Sequence, residues 1–498
     1  MPPAAQSRSA SPGRAETVAA LTESILDVLI IGGGIVGAGI ARDTALRGWR
    51  VGLLDRHDFA FGTSSRSTRL LHGGLRYLAQ GRIGLVREAS LEKRVLHQIA
   101  PHLAEPLPFI FPTYKGSGWP NWQMRIGVKI YDLLCSGHNL GRSSALSKSE
   151  VLAKVPKLKT DRLTGAVRYF DGLTNDARLV LDTLRSAARA KARVLNYCRF
   201  QYASRPADVW LCQANDQLTG YTLELRARAV VNATGPWADN LPHSQVKLRL
   251  TKGIHLVIAR ERLPVPEAVA ITQGRRLLFL IPWGERLILG TTDTDYTGSL
   301  EDVRADSQDI EYVLRSVNDF FPQAALAKGD IISTWAGLRP LLANPDGTPS
   351  DISRAHEIRN PEPGWWDVAG GKLTIYRLMA EQTGDQIADW LKHSTGISEA
   401  NPRAASRTAA EPLIPPEDAE GLSGILPPPF DRSAVEHYCT REWAIHLADI
   451  MVRRTSWHYY YPDAAEKAAH VADWMTELLG WTPAERAAEL QAYASLPR

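Results

Sequence analysis

An apolar run, Leu26 to Ile31, leads straight into Gly32-x-Gly34-x-x-Gly37 and a helical stretch ending near Gly48. A second run, Arg50 to Leu54, then closes on Asp55. No other feature of the chain restricts its fold as much. Short β-branched runs of this kind read as strands buried on both faces, and strand, glycine turn, helix and strand make a parallel βαβ unit. The glycines have separable tasks. Gly32 permits the tight turn, Gly34 lets the backbone approach a pyrophosphate, and Gly37 packs the helix against the strand. The helix N-terminus offers unpaired N–H groups and the positive end of its dipole to phosphates. Asp55, 23 residues after Gly32, is spaced to accept hydrogen bonds from adenosine ribose hydroxyls. The unit predicts dinucleotide binding.

Eight residues further on, Thr63 to Leu78 reads Thr-Ser-Ser-Arg-Ser-Thr-Arg-Leu-Leu-His-Gly-Gly-Leu-Arg-Tyr-Leu. By itself this is a Ser/Gly loop carrying solvated arginines. Beside the fingerprint it becomes a second phosphate-facing segment. Thr63, Ser64, Ser65, His72, Gly73 and Gly74 bring hydroxyls and bare backbone close to the ligand, and Arg66, Arg69 and Arg76 add fixed positive charge. NAD and FAD share the fingerprint, so the choice rests on two later segments. Val230 to Asp239 is a strand ending in Ala233-Thr234-Gly235, similar to the second dinucleotide contact of flavoproteins with two dinucleotide folds. Val368 to Tyr376 runs through Gly370, Gly371, Lys372, Leu373 and Thr374 into a helix. A helix N-terminus there faces the pyrimidine edge of a flavin and stabilises negative charge on the reduced ring. The three segments in this order favour FAD.

At 498 residues, 44% apolar and 22% charged, the chain has the composition of a globular protein with a large core. The formal charge of +4 is uneven, with 14 Lys/Arg against 6 Asp/Glu in residues 41–130. This basic excess suits an anionic cofactor or a phosphate-bearing substrate. No nucleic-acid-binding module is visible, and no apolar run is long enough for a membrane-spanning helix. Trp119 to Leu134 interleaves Trp119, Trp122, Ile126, Ile130 and Leu133 with Arg125 and Lys129. A buried amphipathic helix is the first reading and an interfacial one the alternative. Cys135, Cys198, Cys212 and Cys439 show no metal or redox spacing and suggest a reducing compartment; no metal site is expected.

The expected architecture is α/β: a two-dinucleotide-fold flavoprotein with a Rossmann-type FAD domain, an antiparallel-sheet substrate domain and a small C-terminal helical cap. Residues 1–24 read as a disordered tail, with an organelle transit segment as the minor alternative. FAD-binding parts fall at 25–91, 166–247 and 346–395. Substrate-domain parts fall at 92–165 and 248–345, where Leu250–Ala259, Leu277–Pro282 and Leu287–Thr292 read as strands. A Pro-rich linker covers 396–431 and the helical cap 432–498. No internal repeat is present.

With these segments together, the chain resembles the FAD-dependent, quinone-linked glycerol-3-phosphate dehydrogenases. The resemblance runs through Gly32–Asp55, Thr63–Leu78, Ala177–Val180, Asn232–Trp237, Lys252–His255, Ile281–Trp283, Gly290–Asp293, Trp335–Leu341 and Gly370–Tyr376. It implies oxidation of sn-glycerol 3-phosphate to dihydroxyacetone phosphate by hydride transfer from C2 to FAD, with electrons passed to membrane quinone. It also implies a cytoplasmic protein held peripherally on the inner face of the membrane, and leaves room for a homodimer. By resemblance, Arg76, Tyr77 and Arg354 bind substrate, while His255, Arg339 and Lys372 are catalytic, with His255 the proton acceptor. Without that context His255 reads as a strand histidine and Arg339-Pro340 as a rigid turn.

Two departures stand out. Arg69 occupies a position where many family members carry Lys, and the C-terminal region looks shortened after Glu411–Pro415. The alternatives are a glycerol-phosphate oxidase or an amine or amino-acid oxidase using oxygen, and, from another class, a flavin-binding protein without turnover.

Overall fold

The computed structural model describes residues 13–78, 81–116, 119–135, 139–273, 276–343, 356–394 and 405–498. Ile25–Ile31, buried along nearly its whole length, is the central strand of an eight-stranded sheet among those residues. It pairs in parallel with Val51–Leu54 on one side and Thr222–Asn232 on the other. Arg193–Leu195 extends the sheet beyond Val51–Leu54, and Trp365–Gly370 extends it beyond Thr222–Asn232, both in parallel. The helices Ile35–Leu46, Asp176–Arg189 and Tyr376–Ser394 pack on this sheet. The helices Ile35–Leu46 and Tyr376–Ser394 meet closely because Gly39 lacks a side chain: a Cβ there would lie 2.9 Å from the Tyr376 ring.

A second sheet, ten-stranded among the described residues, carries Leu248–Ala259 between Arg286–Gly290 and Ile331–Leu342, antiparallel to both. Its register sets His255 across from Gly290 on one side and Trp335 on the other, with Gly253 across from Gly337. The chain crosses between the sheets repeatedly, so the ends of the parallel strands face the second sheet over a deep cleft.

The C-terminal helices Arg432–Arg441, Ala464–Leu479 and Pro483–Ala494 enclose their own core around Val435, Tyr438, Met451, Trp457, Val471 and Met475. Buried charge ties this cap to the layer of the eight-stranded sheet. Asp58 receives the guanidinium groups of Arg453 and Arg454, and Arg178 donates to Glu442 at 2.6 Å and to Asp182 at 2.9 Å.

Three sequence expectations change. The described end of the tail read as disordered is a helix, Arg14–Glu23, held by an Arg14–Asp216 ion pair at 2.7 Å. In the stretch read as a linker, Leu413, Ile414 and Ile425 are buried, and Arg42 donates to the carbonyls of Thr408 and Glu411. The helix Asn121–Leu134 buries Met124, Val128 and Tyr131. Its more conspicuous apolar stripe faces outward, with Trp122 61% and Leu133 74% exposed and Ile126 and Ile130 also exposed. Among the described residues no helix is long and apolar enough to cross a membrane, and no cluster of His, Cys, Asp or Glu is arranged to hold a metal ion.

Candidate active site

Where Ile25–Ile31 ends, Gly32 turns with φ +106, and a Cβ on it would lie 2.6 Å from the Ala233 carbonyl oxygen. Only glycine lets the two parallel strand ends meet this closely. A Cβ on Gly37 would sit 1.9 Å from the Gly32 oxygen, so the helix Ile35–Leu46 is seated directly on the turn. Ser64, in the short 3₁₀ turn Thr63–Ser65, accepts the Ile35 N–H at 3.0 Å. Thr63 donates to the Leu338 carbonyl at 2.6 Å, which joins this turn to the second sheet.

These contacts leave an elongated cavity of about 490 Å³ between the sheets. Gly32, Gly34, Asp55, Thr63, Ser64, His72, Ala233, Thr234, Gly235, Gly370, Gly371, Lys372, Leu373 and Thr374 line it, as do His255 and Arg339. At one end the Asp55 carboxylate accepts the N–H groups of Gly33 at 2.6 Å and His57 at 2.8 Å. Burial nevertheless pushes its carboxyl up to about 7. At the other end Gly370 and Gly371, with φ +74 and +77, lead through Lys372 into the turn Leu373–Ile375. Thr374 Oγ1 accepts the His72 N–H at 3.0 Å.

Four of the residues expected at the cofactor lie behind or beside this wall. Gly37 and Ser65 support the turn. Gly73 donates its N–H to Tyr131 Oη at 2.8 Å, and a Cβ there would lie 2.4 Å from that oxygen. Gly74 borders a second, smaller cavity of about 140 Å³, which Tyr77 also lines together with Phe109, Phe111, Trp119, Tyr169 and Phe279. Arg339 and Lys372 line both cavities, so they stand where the two meet. The side chain of Arg76 and all of Arg354 lie outside the described residues.

Arg339 donates to Thr291 Oγ1 at 2.8 Å and to Asp293 at 3.3 Å. The Lys372 ammonium sits 4.3 Å from the Tyr77 ring centroid. His255 is 1% exposed, stacked on Trp335 at 5.1 Å, and its Nε2 lies 2.9 Å from Thr68 Oγ1. Burial, reinforced by the charges of Arg339 and Arg69, holds its imidazole well below the usual histidine range. Arg69 itself is buried between Trp283 and Trp335 and donates to Ser456, so it works from behind His255 and not on a phosphate.

Sequence reasoning did not single out Thr68, Trp237 or Leu338 as wall residues. Thr68 lay within the quoted segment, and only its cross-sheet partner reveals its place.

The cleft fits a flavin dinucleotide. Gly34 lines it without a Cβ, so the N-cap of Ile35–Leu46 has no side chain to cover the first turn, and an ionisable acid lies at one end with a glycine-led turn at the other. The profile of the family described as FAD dependent oxidoreductase matches residues 27–377. That of the C-terminal domain of alpha-glycerophosphate oxidase matches 416–486.

The aerobic glycerol-3-phosphate dehydrogenase of Staphylococcus epidermidis is 38% identical over 386 residues, covering 76% of this chain and 69% of its own. This chain belongs to the aerobic glycerol-3-phosphate dehydrogenase family. It shares the fold of the FAD-complexed glycerol-3-phosphate dehydrogenase from Bacillus halodurans, with a TM-score of 0.74 and 28% identity over 98% of this chain and 97% of that one. The L-alpha-glycerophosphate oxidase of Mycoplasma pneumoniae, at 16% identity and a TM-score of 0.58 over 73% of this chain and 95% of its own, shares the fold alone. The protein is an FAD-dependent oxidoreductase of this family. Its C-terminal region, short as it looks in sequence, has a counterpart in the alpha-glycerophosphate oxidase domain.

Proposed function

We propose that the protein oxidises sn-glycerol 3-phosphate to dihydroxyacetone phosphate, that Arg339 and Lys372 hold the substrate, that His255 takes the proton of its C2 hydroxyl, and that the electrons pass to a membrane quinone. The observation that carries this reading is that Arg339 and Lys372 stand where the dinucleotide-sized cavity meets the smaller one, with His255 in the wall of the larger.

A phosphate dianion is bound by cations held in place. Arg339 is held by Thr291 and Asp293, and Lys372 rests over the face of Tyr77. By resemblance Arg76, Tyr77 and Arg354 complete the substrate pocket. FAD, when bound, supplies a hydride acceptor. The glycine turn Gly32–Gly37 and the helix behind it would hold its pyrophosphate, Asp55 its ribose, and Thr63–Ser65, His72, Ala233–Gly235 and Gly370–Thr374 the remaining length. Burial keeps the His255 imidazole neutral, the form with a free ring nitrogen to take a proton. The Arg339 guanidinium makes the developing alkoxide tolerable.

Membrane contact and a quinone acceptor fit the outward stripe Trp122, Ile126, Ile130 and Leu133, which Arg125 and Lys129 accompany on the same exposed face. Apolar side chains flanked by basic ones suit the surface of an anionic bilayer.

Anaerobic addition of sn-glycerol 3-phosphate to the yellow holoenzyme tests the reading. Prompt bleaching of flavin absorption, reversed by a quinone faster than by oxygen, is expected. Retained flavin with no bleaching would return the chain to the wider oxidase fold.

A further inference from the structure

We propose that the Thr68 hydroxyl carries the proton from the substrate's C2 hydroxyl to His255, so that this base acts through Thr68 and not by direct contact. The inference rests on the reading of His255 as the acceptor.

The imidazole is enclosed on most sides. One face stacks on Trp335 with an interplanar angle of 23°. Its Cδ2 edge abuts Gly290, where a Cβ would lie 2.4 Å away. Nδ1 is buried and has no hydrogen-bond partner among the described residues. Nε2 is the nitrogen with a polar neighbour, Thr68 Oγ1 at 2.9 Å. Thr68 is half-buried and lines both cavities, as Arg339 and Lys372 do, whereas His255 lines only the larger one. A substrate held at that junction therefore meets the threonine hydroxyl before it meets the imidazole.

The surroundings fix both members of the pair. The Trp335 indole that stacks on His255 also donates to the Ser67 carbonyl at 3.1 Å. The buried Asp176 carboxylate accepts the Ser67 N–H at 2.8 Å. One tryptophan thus sets the ring and the backbone that presents the hydroxyl, and a separation of 187 residues closes to hydrogen-bond distance.

A threonine hydroxyl accepts and donates at once. The balance is simple. The C2 O–H bond breaks and its proton goes to Thr68 Oγ1, while the Thr68 proton goes to Nε2 of the tautomer protonated at Nδ1. The C2 hydrogen would depart with its bonding pair as hydride to the bound cofactor, and the electron pair left on oxygen by the O–H bond forms the carbonyl π bond. Threonine ends as it began, and His255 ends as imidazolium.

The test compares Thr68→Val, Thr68→Ser and His255→Asn holoenzymes. The readouts are the rate of anaerobic flavin reduction in mixed H2O/D2O, flavin bound per chain, and affinity for propane-1,3-diol monophosphate, which lacks the C2 hydroxyl. Thr68→Val is expected to lose about a hundredfold in reduction rate while keeping its flavin and its affinity for the analogue. Thr68→Ser is expected to recover to within about tenfold of the parent. The parent should show a curved dependence on deuterium fraction, as two protons in flight require. A hydroxyl that merely orients the ring would leave that dependence linear, which overturns the proposal. So does Thr68→Val reducing at the parental rate. If His255→Asn is slow in that case, the relay alone has failed; if His255→Asn is also fast, the assignment of His255 as acceptor has failed with it.

Discussion

Arg339 reaches the cavity across the bare backbone of Gly253 on the neighbouring strand: a Cβ at Gly253 would lie 2.1 Å from Arg339 Nη2 and 2.5 Å from Thr291 Oγ1. The missing methyl is what lets the guanidinium reach its hydroxyl partner at 2.8 Å. Gly253→Ala should displace Arg339 without touching the dinucleotide turn. Loss of one hydrogen bond to a charged group costs about 1.5–3 kcal/mol, roughly ten- to hundredfold in affinity. The expected outcome is a rise of that size in KM for glycerol 3-phosphate with flavin content unchanged, read by steady-state kinetics and flavin absorbance.

Gly37 makes a sharper prediction for the cofactor. With only 1.9 Å between an added Cβ and the Gly32 carbonyl oxygen, Gly37→Ala must push the helix off the turn or distort the turn itself. Overpacking of this kind costs about 1–3 kcal/mol, and the distortion falls on the pyrophosphate loop. The variant should purify folded by circular dichroism but largely colourless, with a weakened Kd on titration with FAD.

The Asp55 carboxyl, raised by burial to about 7, makes FAD binding pH-dependent. Ribose hydroxyls donating to the carboxylate favour its ionised form, so binding lowers this pKa and releases a proton. Below pH 7 that proton must first be removed, and affinity falls by up to about tenfold per pH unit. Above pH 7 it levels off. Fluorescence titration of the FAD-free protein across this range should show the bend near 7, and Asp55→Asn should flatten it.

Asp58 anchors the C-terminal cap. Burial alone would raise its carboxyl, but the Arg454 and Arg453 guanidiniums hold it down to about 2. A depressed folded pKa contributes stability in full above the ordinary value of 3.8, and that contribution is lost as pH falls from about 4 through 2. Removing the carboxylate leaves the buried Arg454 guanidinium without a carboxylate partner, while Arg453 keeps Asp449, at a cost of about 3–5 kcal/mol. Asp58→Asn should therefore lower the urea midpoint and remove the acid-side loss over that pH window.

The outward stripe of Asn121–Leu134 predicts a separable membrane phenotype. The double substitution Ile126→Glu and Ile130→Glu replaces two exposed apolar groups with charge of the wrong sign for an anionic bilayer. Co-sedimentation with phosphatidylglycerol-containing vesicles should be lost while turnover with a water-soluble dye acceptor is retained. Unchanged sedimentation would remove this helix as the contact.

Much of the cofactor architecture was legible along the chain because its determinants are local. Gly32, Gly34, Gly37 and Asp55 act within one βαβ unit, and turn, dipole and strand end are properties of neighbouring residues. The strands Leu248–Ala259, Arg276–Trp283 and Arg286–Gly290 were readable within two residues from their apolar runs and bounding turns. The helix Asn121–Leu134 was readable too, but not its orientation. It carries two apolar faces, Met124–Val128–Tyr131 and Trp122–Ile126–Ile130–Leu133, and periodicity reports amphipathic spacing without saying which face meets the core. The buried linker and the helix Arg14–Glu23 escaped for a related reason, since their order comes from Arg42 and Asp216, far away in sequence.

The sequence by itself determined a dinucleotide-binding unit, the order of the segments around it and the family they belong to. Tertiary structure alone decided the chemistry of particular side chains. Thr68 meets His255 across 187 residues, Gly253 opens the way for Arg339, and Asp58 closes on Arg454 across 396. A hydrogen bond, a missing Cβ and a desolvated charge depend on distance in space, and distance in space is set only when the two sheets face each other.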